Sequence, residues 1–266
     1  MNFLLTIILI VFYNIGEIGR VIAVIISTFL VTIISLYLLI RDKLISVKYE
    51  KHKYLKENIS FGLPLLPHVF GLFLLSSIDR FFISKKYGLS EAGIYMMAFQ
   101  ISLGMIILFD ALNKAITPYL FKMLARNSKS DLYKIVKYSY LLFLACLILG
   151  SIAYILSPYF VIIIGGDKYI EATLIVPILC LGQAFQGMYL IVTNYIFYTK
   201  KTYLLSIVTI SSGIINIILI IILMNEMGIL GASIAFAISM FIRFISTWLL
   251  SQKVFPLPWN LLKKNH

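Results

Sequence analysis

Apolar residues run through the chain in long blocks divided by short polar stretches, and the blocks set the predicted elements. Helices are expected at about Asn2–Tyr13, Val21–Ile40, Phe61–Ser84, Gly93–Leu120, Val136–Ile155, Thr173–Tyr198, Tyr203–Met224 and Gly231–Leu250. Most blocks reach the roughly 20 residues that cross a hydrocarbon layer of about 30 Å. The first holds only about a dozen residues, a length compatible with a half-helix or a shortened span. The pattern therefore predicts an all-α, polytopic membrane helix bundle of about eight transmembrane helices. The longest polar stretch, RDKLISVKYEKHKYLKEN, is too short to bury a core of its own and reads as a linker between two bundles. The opening MNFLLTIILIVFYNIGEIGR has neither a basic leader nor a small-residue cleavage site, so it is expected to belong to the mature chain.

Composition agrees with this pattern. Of the 266 residues 61% are hydrophobic and 13% charged, where soluble domains hold about 45 to 50% apolar residues. Mean hydropathy is +0.98. The net charge of +12 does not point to nucleic acid, because the basic residues cluster in the short loops between spans. Sixteen Lys and Arg fall in one set of loops and the tail, four in the alternate loops, and Arg80, Lys114 and Arg243 fall within helices. That asymmetry predicts cytoplasmic termini and cytoplasmic basic loops. Cys146 and Cys180 sit inside apolar segments and are expected to face lipid or core. The sequence has no GxxxxGK loop, HExxH pair, GxSxG elbow or Cys/His metal spacing, so neither an enzyme nor a cofactor is expected.

Polar groups within spans carry the candidate chemistry, because a charge at mid-bilayer costs about 2.5 to 3.5 kcal/mol and so faces a cavity or a partner. In the third helix His68, Leu72, Leu75 and Asp79 share a stripe by 4-3-4 spacing. Asp79 and Arg80 lie about 100° apart and need separate partners. Counting from Phe61, Asp79 is expected near the outer boundary, where Arg80 can snorkel to water. In the fourth helix Gln100, Gly104, Ile107, Asp110, Lys114 and Thr117 form one broad face, and Asp110 precedes Lys114 at the favourable i,i+4 spacing. A cavity wall and a self-neutralised pair both fit. Gln183, Gln186, Gly187 and Asn194 make a weak polar stripe on the sixth helix; Thr209, Ser212 and Asn216 make one on the seventh. Interhelical hydrogen bonds explain both at least as well as substrate contact. Arg243 shares a face with Ser239 and with Ser246 or Thr247, and cavity lining and snorkelling both fit it. Pro64 and Pro67 loosen the start of the third helix. Tyr54, Tyr159, Tyr169, Tyr198, Trp248 and Trp259 read as an interface belt.

The segment FGLPLLPHVFGLFLLSSIDRFFISKKYGLSEAGIYMMAFQISLGMIILFDALNKAITPYLFKML resembles the seventh and eighth helices of bacterial polysaccharide repeat-unit flippases of the Wzx type. These belong to the multidrug/oligosaccharidyl-lipid/polysaccharide exporter superfamily. The stretches GGDKYIEATLIVPILCLGQAF and NEMGILGASIAFAIS, with the TKKT turn, are similar to that family's last four helices. The resemblance implies a MATE-like C-terminal half plus the last two helices of the N-terminal half. On that reading residues 1–42 end the N-terminal bundle, 43–59 form a cytoplasmic basic linker, 60–252 form a six-helix bundle and 253–266 a cytoplasmic tail. Intact members have about twelve helices, so a truncated frame or partial sequence is expected, with the absent helices supplying one cavity wall.

The implied activity is translocation of undecaprenyl-diphosphate-linked oligosaccharide from the inner to the outer leaflet of the bacterial cytoplasmic membrane. The implied partners are the bilayer, the lipid-linked oligosaccharide, and a polysaccharide polymerase and glycosyltransferases. Arg80, Lys114 and Arg243 would help line a partly cationic cavity, and Asp79, Asp110 and His68 are able to take up a proton or cation. A drug or metabolite antiporter on the same scaffold and a non-transporting fragment are the alternatives.

Overall fold

The computed structural model describes residues 2–44, 55, 58–59, 62–63, 66–166 and 169–259. Most of the basic linker, Tyr54, Pro64, Lys168, and the tail lysines Lys263 and Lys264 lie outside the described residues. The chain divides into two compact units, residues 1–55 and 56–266.

In the first unit α1 (Asn2–Ile7) widens into a π-helical turn over Ile8–Phe12, closed by Tyr13 donating its N–H to the Ile8 carbonyl at 3.2 Å. Gly16, at φ 63°, reverses the chain where a side chain would be strained. Helix α2 (Glu17–Arg41) then returns along the first segment, and a Cβ on its Gly19 would stand 3.3 Å from Leu9 Cβ. The predicted helix over Asn2–Tyr13 is thus a short α-helix with a π turn.

The second unit contains α3 (Leu66–Ser76), α4 (Ile78–Tyr87), α5 (Leu89–Arg126), α6 (Lys129–Gly165), α7 (Ala172–Tyr198), α8 (Tyr203–Met227) and α9 (Ile229–Val254). Across both units, seven helical stretches among the described residues are long and apolar enough to cross a membrane, with α3 and α4 together making one. The molecule is a multi-pass membrane helix bundle. Helices α5 and α6 run to 38 and 37 residues, well past their predicted ends: α5 continues through residues 121–126 and α6 begins at Lys129, where helix-forming polar residues extend the apolar block, while α6 also runs on through the largely apolar stretch of residues 156–165. Ser128 ends that continuity by capping α6, accepting the Asp131 N–H at 3.1 Å.

Helix α7 is the axis of this unit. Of its most apolar window 72% is buried, against 17% for α6. It packs against α5, α6 and α9, while α8 packs on α9 and α3, and α4 packs on α5. Small residues set these approaches, as expected where lipid provides no hydrophobic drive between helices. A Cβ on Gly182 would meet the Phe236 ring at 2.6 Å, and one on Gly187 the Phe109 ring at 2.7 Å. Both cysteines are buried in the core rather than turned to lipid.

The third predicted helix differs most. It is broken at Ser77, whose φ of −136° leaves the helical region, and its halves pack on different neighbours, α3 on α8 and α4 on α5. The break lies away from the prolines, and Pro67 sits within the first turn of α3, where the missing N–H is tolerated. The two tryptophans also depart from a simple belt. Residues 255–259 fold back so that Trp259 is buried against Tyr140, Phe143 and Trp248, with Tyr140 donating its hydroxyl to the Trp259 carbonyl at 3.1 Å.

Candidate functional site

The in-span polar residues resolve into three separate groups. The first lies at the broken span. Asp79, in the first turn of α4, is 1% exposed. Its carboxylate accepts the Tyr95 hydroxyl at 2.6 Å and the Arg80 backbone N–H at 2.8 Å, and among the described residues it forms no ion pair. Asp79 stands eight residues before Tyr87, about 12 Å along the helix from its end. Arg80 does not reach outward along the span, because its guanidinium lies 4.7 Å over the Phe99 ring and its Nε is buried. The expected His68–Asp79 stripe is also absent. His68 pairs with Thr209 of α8, Nδ1 to Oγ1 at 2.8 Å, while Asp79 turns to α5. The kink at Ser77 rotates one half against the other, which a continuous 3.6-residue period cannot show.

The second group is on α5. Lys114 and Asp110 form an ion pair of 2.6 Å, with side-chain exposures of 75% and 43%. Gln100, Gly104 and Ile107 are exposed on the same helix, and no atom stands within 4 Å of a Cβ built on Gly104. The face therefore carries no protein cover within its unit. Thr117, expected on this face, turns inward to Asn194 of α7. Asn194 is buried and donates to Asn113 Oδ1 at 2.7 Å, an interhelical amide pair. Asn113 escapes a spacing argument because its partner is on a helix distant in sequence.

Arg243 forms the third group. It is 1% exposed, donates from Nη1 to Gln186 Oε1 at 2.7 Å, and stacks 3.7 Å over the Tyr189 ring. Among the described residues no carboxylate reaches it. It neither snorkels nor lines an open cavity in this conformation. The guanidinium is held between α9 and α7 by the Gln186 amide oxygen, the Met240 sulfur at 4.0 Å and the Tyr189 ring, so among the described residues no counter-charge neutralises it. Gln186 lies on the predicted polar stripe, whereas Tyr189 is not distinguishable by sequence from an ordinary core aromatic.

The structure thus brings Asp79 to Tyr95, Asp110 to Lys114, Asn194 to Asn113 and Arg243 to Gln186; Asn113 and Asn194 line a crevice between α5 and α6, and the other pairs lie apart from it. What the groups share is charge or amide character held within membrane-spanning helices, without metal-ligand clusters among the described residues. Residues 2–124 match the family model described as polysaccharide biosynthesis protein. The polysaccharide biosynthesis match runs from α1 through most of α5 and takes in His68, Asp79, Arg80, Gln100, Asp110 and Lys114, while Asn194 and Arg243 lie beyond it. The chain is also similar to a Haemophilus influenzae protein named for the Lsg locus, 31% identical over 201 residues, covering 74% of this chain and 50% of that protein. A second relative from the same organism, described as an uncharacterized membrane protein, is 29% identical over 218 residues, covering 80% of this chain and 53% of its own. The chain spans about half the length of the curated relatives it matches. No solved structure matches.

Proposed function

We propose that this chain is part of a transporter, not an enzyme, that moves undecaprenyl-diphosphate-linked oligosaccharide from the inner to the outer leaflet of a bacterial cytoplasmic membrane for surface polysaccharide synthesis. The observation that carries the reading is the Asp110–Lys114 pair, exposed on a spanning helix of a chain matched to a polysaccharide biosynthesis family. Such a pair in contact with lipid would cost several kcal/mol, so the α5 face is best accommodated against water or polar substrate. An anionic diphosphate and a polar glycan need such a path, while the polyprenyl tail stays among lipid chains. Lys114 supplies an exposed cation, and Arg243, buried and uncompensated here, supplies a second when the bundle opens.

Residues 1–42 and 60–252 serve on this reading as parts of two bundles joined by a cytoplasmic basic linker, with both termini cytoplasmic. The in-span charges, three basic against Asp79 and Asp110, speak against an antiporter of small organic cations, which needs an acidic cavity. In a strain lacking its native flippase, the full-length gene is expected to restore surface polysaccharide. Lys114→Ala should lower the recovery by roughly tenfold, the loss of one charge-assisted contact. Full recovery by Lys114→Ala at equal protein level would remove α5 from the substrate path.

A further inference from the structure

Between α5 and α6, floored by α7, runs a crevice of about 320 Å³ whose lining is almost wholly apolar. Its α5 wall extends from Phe109 to Met123 and its α6 wall from Ile135 to Leu149, with Leu112, Tyr119, Tyr138 and Leu141 exposed on the outer surface of the bundle. Fourteen residues of helix rise about 21 Å, more than half the hydrocarbon thickness of about 30 Å. The crevice therefore has the length to hold an extended hydrocarbon segment laid along the two helices. It sits between two neighbouring helices, a gap suited to a single chain.

The charge at one end selects the headgroup. The two helix stripes that form the walls continue, three residues beyond Met123 and four before Tyr138, into Arg126 and Lys134. The hairpin joining α5 to α6 adds Lys122, Lys129 and Lys137, and its one acid is Asp131. All five basic residues are exposed. A basic collar at the end of a single-chain apolar slot complements a lipid with one long hydrocarbon tail and a terminal phosphate or diphosphate. Ordinary phospholipids carry two chains side by side and match the slot less well.

We infer that this crevice is a binding site for a polyprenyl-diphosphate carrier lipid, with the tail between α5 and α6 and the diphosphate at the basic α5–α6 hairpin. The identity of the lipid rests on the function proposed above; the slot and its collar do not. The site lies on the lipid-facing flank of α5, apart from the Asp110–Lys114 face, and holds the carrier while its glycan is handed to the polar path.

The test uses the full-length protein in phosphatidylethanolamine vesicles containing a diazirine-bearing polyprenyl diphosphate, with adducts mapped by mass spectrometry. Adducts are expected on residues 112–123 and 138–149, suppressed by excess unlabelled polyprenyl diphosphate but not by an equal excess of phosphatidylglycerol. Ala145→Phe, which fills the slot, and the exposed pair Arg126→Gln with Lys134→Gln should each cut capture by roughly tenfold. Absence of adducts in both segments, equal competition by phosphatidylglycerol, or capture unchanged in both variants overturns the site. Capture here by a protein that fails to restore surface polysaccharide would retain the site and reject the transport reading. Restoration without capture would do the reverse.

Discussion

At the scale of single residues, the in-span charges are stabilised by different means, and each mean predicts a different response to substitution. Arg243 relies on a neutral amide and an aromatic face instead of a carboxylate. Truncating it leaves Gln186 Oε1 in a bundle interior without its donor, a loss of about 1 to 3 kcal/mol. Arg243→Ala is therefore expected to lower stability in mixed-micelle unfolding by that amount. The double variant Arg243→Ala with Gln186→Ala should cost less than the sum of the single ones, because residues in one hydrogen bond couple by about 0.5 to 3 kcal/mol. Strict additivity would mean that the pair is not a bonded unit. Asp79 follows a different logic. Its carboxylate is satisfied by Tyr95 and by the N–H at the start of α4, so it needs no cation, and Arg80 is left to Phe99.

At the scale of helices, close contact is set by glycine where backbones nearly touch. A Cβ on Gly71 of α3 would lie 2.8 Å from the Thr209 carbonyl carbon and 2.9 Å from the Ile210 nitrogen of α8. Backbone cannot move aside as a side chain does, so Gly71→Ala should separate α3 from α8 at a cost of about 1 to 3 kcal/mol. Gly104→Ala, with nothing within 4 Å, should be neutral or slightly stabilising as a better helix former. Equal midpoints for the two variants in the same unfolding assay would contradict the packing described here.

The helices themselves were legible in the sequence, because a run of about 20 apolar residues has few alternatives in a bilayer. Their ends were less so, since the polar residues beyond each block extend the helix. The break at Ser77 was not legible at all: a serine pair in an apolar run carries no breaker signal, and the kink it marks separates His68 from Asp79. The Asp79–Tyr95 contact spans the Gly88 turn, and hairpin register places the two residues level with one another. That register was available to a reader who paired the antiparallel spans before assigning faces. Arg243's partners were half legible, through Gln186 on its polar stripe, while Tyr189 looked like any core ring.

At the scale of the whole molecule, the second unit buries α7 from several sides yet leaves one face of α5 charged and uncovered. The flank between α5 and α6 is apolar, with a basic end. The proposed function needs a polar surface for the glycan and an apolar one for the polyprenyl chain, and α5 carries a charged face and an apolar flank on opposite sides. The proposed function requires the Gln100–Gly104–Lys114 face of α5 to border water. It is tested most directly by cysteine labelling in membranes of the full-length protein, with Cys146 and Cys180 replaced by alanine. Gly104→Cys is compared with Ile152→Cys, which is 46% exposed on α6 and level with Gly104 by hairpin register. A water-soluble maleimide is expected to label Gly104→Cys at least about tenfold faster, since the reactive thiolate forms only where water reaches the thiol, and a short-chain prenyl diphosphate should slow that labelling. Equal, slow labelling at both positions would place the α5 face in lipid or protein and contradict the account.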